Sequence, residues 1–395
     1  MRSTQAFTKE NYDKNREVII YGATVYGEIA YWALEYIGIR PDYFCDRALG
    51  GDKKYGIQIL SPQELTEHKD AIIILASFNY FYEIKENCKS YGCNEYYDME
   101  YLLQLPLPED KLSGRAKGRL HDINGYRNML EHGQGEGRLN INHIDYVVCE
   151  SCSLKCRDCS NLMQYYKHPE IVDIDKYEPA FARFLSVMDY ISEIYILGGE
   201  PFLNKEIYKI MDRYHDHPKI GGITIFTNGT IIPDVLTIQS MRKSNVLVQI
   251  SDYGLKQQKL RELGQVLLDN GVRYVVKKYE NWTNLGGIKK RMYSAETLQK
   301  NYELCFWKKN YTMLRGKIHN CPRSAHGQNL CAFEAHGEEY VDFNDGTVSH
   351  EDLRIQMLKL IECKKYLTAC EYCDGGDWNR ESIPAAIQMG TKGDI

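Results

Sequence analysis

The chain has 395 residues, which is too long for one ordinary hydrophobic core and predicts two or three domains. Its 49 basic and 54 acidic residues give a net charge of −5, which argues against nucleic acid or an anionic membrane as the main partner. There is no apolar run of about eighteen residues and no apolar N-terminal segment, so we expect a cytoplasmic protein. Thirteen cysteines in such a chain favour metal binding over a disulfide framework.

The N-terminal part of the chain alternates short apolar runs with helical stretches. The apolar runs cover residues 17–22, 41–46, 71–75 and 95–97, and the helical stretches cover residues 28–36 and 82–91. This β-α-β-α-β order predicts a small parallel sheet with helices on both faces, which is a Rossmann-like doubly wound domain over residues 1–104.

A glycine-rich turn follows the first apolar run. Gly22, Thr24 and Gly27 occupy the positions of a dinucleotide-binding turn, and Asp46 lies where a ribose-binding carboxylate is expected. Thr24 replaces the glycine that lets a pyrophosphate approach the backbone, so a docking or substrate-handling module without a cofactor is an equal alternative. The domain is similar to small Rossmann-like domains attached to enzymes of bacterial surface-sugar biosynthesis. This resemblance implies a nucleotide-activated sugar as the ligand, in preference to NAD.

The next two regions differ in their periodicity. Residues 105–140 contain clustered helix breakers and predict a linker. Over residues 141–300, short apolar runs alternate with helical stretches, and each run ends abruptly in polar and glycine residues. This pattern predicts parallel strands whose carboxyl ends carry the ligand site.

A cysteine triplet follows the first strand of this region. Cys152, Cys156 and Cys159 form the pattern C-x3-C-x2-C, so three thiolates can converge on one metal centre. Three protein ligands leave one iron of a four-iron cluster open, whereas a structural zinc ion usually takes four. Cys149 lies just before the triplet and is an alternative ligand, although packing is its simpler role.

Two further motifs follow the triplet at strand ends, Gly198-Gly199-Glu200-Pro201 and Thr227-Asn228-Gly229. In this order, the triplet and the two motifs resemble the radical S-adenosylmethionine (SAM) superfamily. The resemblance covers roughly residues 141–300 and implies a partial (β/α)6 barrel. It also implies a [4Fe-4S] cluster on the three cysteines, with SAM bound to the open iron through its amino and carboxylate groups.

The resemblance assigns roles to the other strand ends. Residues Gly198, Gly199, Glu200 and Pro201 would bind the SAM amino group, Ser251 and Asp252 would meet the ribose hydroxyls, and Asn228 would contact SAM or the substrate. From the residues alone, Glu200 could be a solvated turn acid and Asn228 a turn former. The family often has an aromatic residue before the third cysteine, where this chain has Asp158. Leu162 or Met163 would then take its place near the adenine.

The C-terminal region, residues 301–395, offers a second set of thiols. Cys305, Cys321, Cys370 and Cys373 resemble the shortened auxiliary-cluster module of some radical SAM enzymes, the twitch type, which implies a second [4Fe-4S] cluster. No cysteine follows Cys373, in contrast to the longer SPASM type. Cys331 and Cys363 are alternative ligands, and a four-cysteine zinc site is the alternative centre. We expect Cys45, Cys88 and Cys93 to be plain thiols.

A second cluster with four thiolates has no open iron for SAM, and its natural role is electron transfer. In having one short auxiliary module, the chain resembles 2-deoxy-scyllo-inosamine dehydrogenase. Our leading hypothesis is therefore an oxidoreductase that generates a 5′-deoxyadenosyl radical and oxidises a secondary alcohol on a sugar or cyclitol, free or nucleotide-linked. The family implies a flavodoxin- or ferredoxin-type electron donor.

Three alternatives remain open at this point. A carbohydrate epimerase would quench the substrate radical with a thiol hydrogen from Cys331 or Cys363. A maturase would modify a peptide, although a Rossmann-like domain is the wrong fold for peptide recognition. A binding scaffold stabilised by a cluster or zinc would not need the intact triplet together with Glu200.

Overall fold

The computed structural model describes residues 4–78, 80–120, 123–132, 138–377 and 380–390. The chain divides into two compact units, Met1–Glu136 and Gly137–Ile395, and each unit is built on its own α/β sheet. Within the ranges just given, no helix is long and apolar enough to cross a membrane.

The first unit contains the following elements: β1 (Val18–Tyr21), α1 (Val25–Tyr36), β2 (Tyr43–Cys45), β3 (Lys53–Lys54), β4 (Ile57–Leu60), β5 (Ile72–Leu75), α2 (Phe81–Ser90), β6 (Tyr96–Asp98), α3 (Gly114–Leu120) and α4 (Ile123–His132). The strands lie in the order β3-β4-β2-β1-β5-β6, and all neighbours are parallel except β3 and β4. Every residue of β1 and β5 is buried, as expected for central parallel strands rich in β-branched residues.

The predicted linker differs from the structure over most of its length. Residues 105–132 include α3 and α4, and these helices contribute to the core of the first unit. Tyr126 of α4 is fully buried, and its ring meets the ring of Phe81 edge-on at 6.4 Å. The apolar side chains of this segment therefore make it part of the unit. The remaining breakers of the predicted linker, at residues 133–137, lie outside the described residues.

The second unit contains the following elements: β7 (Asn140–Cys149), α5 (Ile174–Val187), β8 (Tyr190–Gly198), α6 (Tyr208–Tyr214), β9 (Ile223–Thr227), α7 (Val235–Lys243), β10 (Leu247–Asp252), α8 (Leu260–Asp269), β11 (Arg273–Lys278), β12 (Asn281–Thr283), α9 (Ala295–Leu304), β13 (Thr312–Leu314), β14 (Lys317–His319), α10 (Pro322–Asn329), β15 (Tyr340–Asp342), α11 (His350–Glu362) and β16 (Ser382–Pro384). Strands β7 to β11 are parallel, adjacent in chain order and separated by α5 to α8.

In the core of the second unit, buried residues of neighbouring parallel strands lie side by side in one row. Tyr146, Ile196, Ile225 and Val248 are neighbours across β7, β8, β9 and β10, and all four are buried. Phe181 of α5 stacks on the ring of Tyr146 at 4.6 Å. This packing fixes the helix layer against the sheet and aligns the carboxyl ends of the four strands.

The sheet continues differently from a six-unit partial barrel. After β11, which is exposed at all six positions, the chain forms β12, which pairs with β16. The next parallel strand, β13, lies at the opposite edge beside β7, with Thr312 opposite Asp145. Strands β14 and β15 then add in antiparallel fashion. Residues 312–342 therefore extend the same sheet and belong to the second unit.

Candidate metal centres and cofactor site

The cysteine triplet lies in the loop between the carboxyl end of β7 and α5. Burial, with a smaller contribution from the thiol of Cys159, raises the pKa of Cys152 to about 12 and that of Cys156 to about 11. An electrostatic effect of this kind requires the thiols to lie near one another. The structure therefore brings the three predicted ligands together in one half-buried loop.

Hydrogen-bond donors point at the sulfur atoms of this loop. The backbone N–H of Leu154 and the side-chain amide of Asn228 each donate to Cys152 Sγ at 3.5 Å. The side-chain amide of Gln388 donates to Cys156 Sγ at 3.2 Å. Thiolates that hold an iron–sulfur cluster commonly accept such bonds, which also tune its reduction potential. The donor set of the loop therefore fits a [4Fe-4S] cluster.

The glycines of the second motif allow the end of β8 to lie against the cysteine loop. Gly199 N–H donates to Cys149 O at 2.7 Å, and Glu200 N–H donates to Ser151 O at 2.9 Å. A Cβ at Gly198, whose φ is +155°, would lie 2.2 Å from Cys149 O, and one at Gly199 would lie 2.1 Å from Ser151 O. The resemblance implied that SAM approaches the backbone at these two glycines. In the structure, the atoms nearest to a Cβ at these positions are the backbone oxygens of Cys149 and Ser151.

Glu200 is fully buried, so its position is not that of a solvated turn acid. Its carboxylate accepts hydrogen bonds from Thr227 Oγ1 at 2.7 Å, Asn228 N at 2.9 Å and Phe202 N at 3.2 Å. Burial raises its pKa to about 7, against the effect of these three donors. Pro201 follows as the first residue of a short 3-10 helix, Pro201–Leu203. Glu200 thus joins the ends of β8 and β9 beside the cysteine loop.

Asn228 forms a turn and also contacts the cysteine loop. Its Oδ1 accepts hydrogen bonds from Thr230 N at 3.0 Å and Thr230 Oγ1 at 2.7 Å, as in a turn. Its amide nitrogen donates to Ser153 Oγ at 3.1 Å and to the Cys152 sulfur. Asn228 therefore ties the end of β9 to the cysteine loop.

Ser251 and Asp252 end β10, the strand beside β9, and both are half-buried. The amide of Gln258 donates to Ser251 O and to Asn228 O, at 2.6 Å in each case. Asp252 Oδ1 accepts from Gly254 N at 2.8 Å. These contacts fix the two predicted ribose ligands at the same edge of the sheet as Glu200.

Tyr253, the next residue, is a site residue that the sequence reasoning missed. Burial raises its pKa well above the ordinary value, a hydrogen bond with Ser251 opposes this, and the thiols of Cys156 and Cys159 raise it further. Its ring meets the ring of Trp282 edge-on at 5.5 Å. An aromatic residue directly after a polar strand end is the signal that could have identified it.

The position before the third cysteine supplies no aromatic ring. Asp158 forms an ion pair with Arg157 at 2.8 Å. Leu162 is buried with a left-handed backbone, φ +59°, and Met163 begins a short 3-10 helix. An aromatic side chain near the cysteine loop is instead that of Tyr253, which directly follows the end of β10.

The C-terminal cysteines converge on one cavity. Cys305 follows α9, Cys321 caps the N-terminus of α10, and Cys370 and Cys373 lie in and after the 3-10 helix Thr368–Tyr372. All four line the same cavity. Burial, with smaller contributions from the thiols of Cys305 and Cys373, raises the pKa of Cys321 to about 12. The four predicted auxiliary ligands thus lie together.

Backbone donors surround these sulfur atoms as well. Gly376 N–H donates to Cys305 Sγ at 3.3 Å, Ser324 N–H to Cys321 Sγ at 3.4 Å and Gly375 N–H to Cys373 Sγ at 3.3 Å. Four thiols, three of which accept such bonds, fit a fully ligated iron–sulfur cluster. Within the described parts of the chain, no three His, Cys, Asp or Glu side chains are arranged to hold a single metal ion.

The remaining cysteines lie elsewhere. Cys331 is exposed, Cys363 Sγ donates to Lys365 O at 3.4 Å, and neither residue lines the cavity. Cys149 is buried and its thiol donates to Ser151 O at 3.1 Å. Cys45, Cys88 and Cys93 are buried in the core of the first unit.

Arg323 lies near a thiol of each set. Its guanidinium donates to Gly287 O at 2.6 Å, and its Nε has no hydrogen-bond partner among the described residues. Burial raises the pKa of Cys159 and of Cys321, and the charge of Arg323 opposes the rise at both. A buried charge needs compensation, and anionic clusters at the two sites would supply it.

In the first unit, the candidate nucleotide residues lie together at the end of β1. Asp46 Oδ2 accepts from Ala23 N and Oδ1 from Ala48 N, each at 2.9 Å. A Cβ at Gly22, whose φ is +116°, would lie 2.3 Å from Ala76 O. The acid and this glycine therefore serve the packing of the turn.

Gly27 and Thr24, the other two candidate residues of this turn, also make packing and hydrogen-bond contacts within the first unit. A Cβ at Gly27 would lie 1.9 Å from Gly22 O, so this glycine allows α1 to pack against the turn. Thr24 precedes α1, and its carbonyl accepts a hydrogen bond from Lys54 Nζ at 3.1 Å. Lys54 also donates to Ala23 O at 2.6 Å.

Comparison with known families identifies one domain. Residues 146–251 match the profile of the Radical SAM superfamily. The predicted radical SAM domain is confirmed for these residues, which extend from β7 to β10. The family implies a [4Fe-4S] cluster and SAM, and the thiols and hydrogen-bond donors of the cysteine loop fit the cluster.

Curated relatives match over the same domain. A GTP 3′,8-cyclase of Clostridium acetobutylicum is 33% identical over 98 residues, which are 24% of this chain and 30% of the relative. A GTP 3′,8-cyclase of Desulforamulus reducens is 28% identical over 100 residues, with the same coverage. The chain thus spans about 30% of the length of these relatives.

Among solved structures, BtrN in complex with AdoMet and 2-DOIA has a TM-score of 0.42 and 13% identity, covering 60% of this chain and 93% of that chain. Native anSMEcpe with bound AdoMet and Cp18Cys peptide has a TM-score of 0.34 and 15% identity, covering 46% and 74%. Both similarities are distant.

Proposed function

We propose that this chain, which contains a radical SAM domain, is an oxidoreductase that converts a secondary alcohol of a sugar or cyclitol to a carbonyl group. A second iron–sulfur cluster on Cys305, Cys321, Cys370 and Cys373 would accept the electron. The observation that carries the proposal is the convergence of these four thiols on one cavity, with backbone donors on three of their sulfur atoms. A fully ligated cluster suits electron transfer.

Residues at the strand ends would hold SAM beside the first cluster. Glu200 would accept a hydrogen bond from the SAM ammonium group, with charge assistance once it is ionised. Ser251 and Asp252 would bind the ribose, and Tyr253 would cover the adenosyl side with its ring. When bound, a reduced cluster with SAM supplies a 5′-deoxyadenosyl radical, which removes a hydrogen atom from a substrate C–H bond.

The substrate oxidation needs one acceptor within the protein. After the hydrogen atom leaves the carbinol carbon, the substrate must lose one proton and one electron to become a carbonyl compound. The four-thiol site would accept that electron, so no external oxidant is needed beyond SAM. Arg323, near thiols of both sites, would stabilise the added negative charge.

The carbohydrate part of the proposal draws on the resemblance of the first unit to Rossmann-like domains of enzymes of surface-sugar biosynthesis. The parallel strands of this unit lie in the order β4-β2-β1-β5-β6, the arrangement of a Rossmann-like doubly wound sheet. Asp46 is engaged by backbone N–H groups, which favours substrate handling or docking over NAD binding. A nucleotide-linked sugar is the substrate form we propose, with a flavodoxin or ferredoxin as the electron donor.

The test uses anaerobically reconstituted protein with SAM, dithionite and a panel of sugars, cyclitols, nucleotide sugars and peptides. We expect 5′-deoxyadenosine together with a product two mass units lighter than a sugar, cyclitol or nucleotide-sugar substrate. Deoxyadenosine formed only with peptides would contradict the proposal. A substrate analogue deuterated at the carbinol carbon should transfer one deuterium to deoxyadenosine.

Epimerisation is the second candidate, because Cys331 and Cys363 lie outside the cavity lining and remain available as thiols. An epimerase would return a hydrogen atom to the substrate carbon and leave its mass unchanged in ordinary water. In deuterated water, an epimerised product would gain one deuterium, whereas an oxidised product would gain none at that carbon.

A further inference from the structure

The chain beyond β16 lies along the first cysteine loop. Arg157 N–H donates to Ile387 O at 2.8 Å, and Met389 N–H donates to Lys155 O at 2.8 Å. These bonds form an antiparallel bridge in which Gln388 lies opposite Cys156. We call residues 385–389 the C-terminal strap.

The side chain of Gln388 makes three hydrogen bonds within this bridge. Its Oε1 accepts from Lys155 N at 2.9 Å, and its Nε2 donates to Ala386 O at 2.8 Å and to Cys156 Sγ at 3.2 Å. The contacts to Lys155 and Ala386 fix the amide orientation, because the flipped amide would set donor against donor and acceptor against acceptor. One N–H of Gln388 is therefore held toward the sulfur.

The strap is anchored through strand β16 to β12, whose Trp282 contacts Tyr253. Strand β16 pairs with β12, where Ile383 lies opposite Trp282, and Ala385 N–H donates to Glu280 O at 2.9 Å. Trp282 in turn contacts the ring of Tyr253. The strap thus connects the cysteine loop to an aromatic pair at the candidate SAM site.

We propose that the strap is a positioning element for the first metal site, and that Gln388 raises the reduction potential of the cluster held there. This inference rests on the proposed radical SAM function. An N–H directed at a thiolate stabilises the more negative, reduced state, so its removal should make reduction harder. The strap also covers the Cys156 side of the loop and should limit access of oxygen.

The test compares Gln388→Met, which keeps the length of the side chain without its donor, with Met389→Leu. The Met389 side chain is 40% exposed, and its contact with Lys155 uses only the backbone. In the reconstituted full-length protein, the midpoint potential of the first cluster is followed by electron paramagnetic resonance during a redox titration. We expect a shift to more negative potential in Gln388→Met and no shift in Met389→Leu.

The outcomes separate the two proposals. No reducible four-iron signal in the wild-type protein would refute the proposed function. A wild-type signal with the same potential in Gln388→Met and Met389→Leu would refute the role of Gln388. If Gln388→Met does not hold iron, the role of the strap is tested by amide hydrogen exchange of the metal-free variant against the metal-free wild type. Faster exchange in the peptide covering residues 153–158 supports the strap, and unchanged exchange overturns it.

Discussion

The two cysteine sites of the second unit differ in how the fold presents them. The first three thiols lie in one loop after β7, surrounded by the ends of β8, β9 and β10. The other four thiols come from segments spread over residues 305–373, at the ends of helices or in short helical turns. The carboxyl ends of parallel strands form an open edge where a ligand can bind. The cysteines from the separate C-terminal segments instead surround a single cavity.

Under the proposed function, this difference corresponds to different chemistry at the two sites. A site with three thiols beside a buried acid, Glu200, leaves room for a cofactor that completes the coordination. A site with four thiols around one cavity is closed to further ligands and suits electron transfer.

Cys152→Ala removes one of three ligands at the open site and should abolish 5′-deoxyadenosine formation. The remaining two thiols cannot hold the cluster that SAM requires. Cys149→Ala is the matched control, because that buried thiol lies in the same segment and donates to Ser151 O. Loss of deoxyadenosine formation in Cys149→Ala alone would reverse the ligand assignment.

Cys370→Ala removes one of the four thiols of the closed site. It should separate the formation of deoxyadenosine from the oxidation of the substrate. We expect deoxyadenosine to form still, while the oxidised product is lost, because the substrate radical lacks its electron acceptor. Cys363→Ala, which removes a thiol outside the cavity, should leave both products unchanged. Full product formation by Cys370→Ala would show that the second site is not the acceptor.

Gly199→Ala should disturb the first site alone. The new Cβ would lie 2.1 Å from Ser151 O and 2.9 Å from Cys152 Cβ, so the cysteine loop must move. Iron bound after reconstitution should fall by about half. Gly222→Ala is the control, since its Cβ would meet no atom closer than 3.9 Å. Equal iron contents in the two variants would contradict the tight apposition of loop and strand.

Glu200→Gln should change how stability depends on pH. Burial raises the folded-state pKa of Glu200 from 4.5 to about 7, so ionisation costs the folded state up to about 3 kcal/mol as the pH rises through this range. At pH 5 the variant should be less stable than the wild type by about 1–3 kcal/mol, because its amide faces the N–H of Asn228.

The destabilisation by Glu200→Gln should therefore shrink between pH 5 and pH 8. Urea unfolding of the metal-free full-length protein measures it at both values. Asp252→Asn is the control, since it makes the same acid-to-amide change at a half-buried residue that ends the neighbouring strand β10. Parallel pH profiles for wild type and Glu200→Gln would contradict the raised pKa.

The sequence was sufficient to predict features that depend on local order. Apolar runs with abrupt polar ends gave the parallel strands from β7 to β10, and the spacing of Cys152, Cys156 and Cys159 indicated the radical SAM domain that residues 146–251 match. Both signals are contained within a few neighbouring residues, where period and spacing carry the information.

Features that depend on distant pairing could not be predicted in this way. Gln388 meets Cys156 across more than two hundred positions, and β13 joins the sheet beside β7 rather than after β11. The engagement of Asp46 by Ala23 N–H depends on how a turn closes in three dimensions. In each case, one residue's role is set by a partner that its own sequence neighbourhood does not contain.

The most direct test of the two-site account is the amount of iron, acid-labile sulfide and zinc per chain after anaerobic reconstitution. Two four-iron clusters predict about eight irons and about eight sulfides, without zinc. About four irons with one zinc would contradict the second site as an electron acceptor, and no iron would contradict the account as a whole.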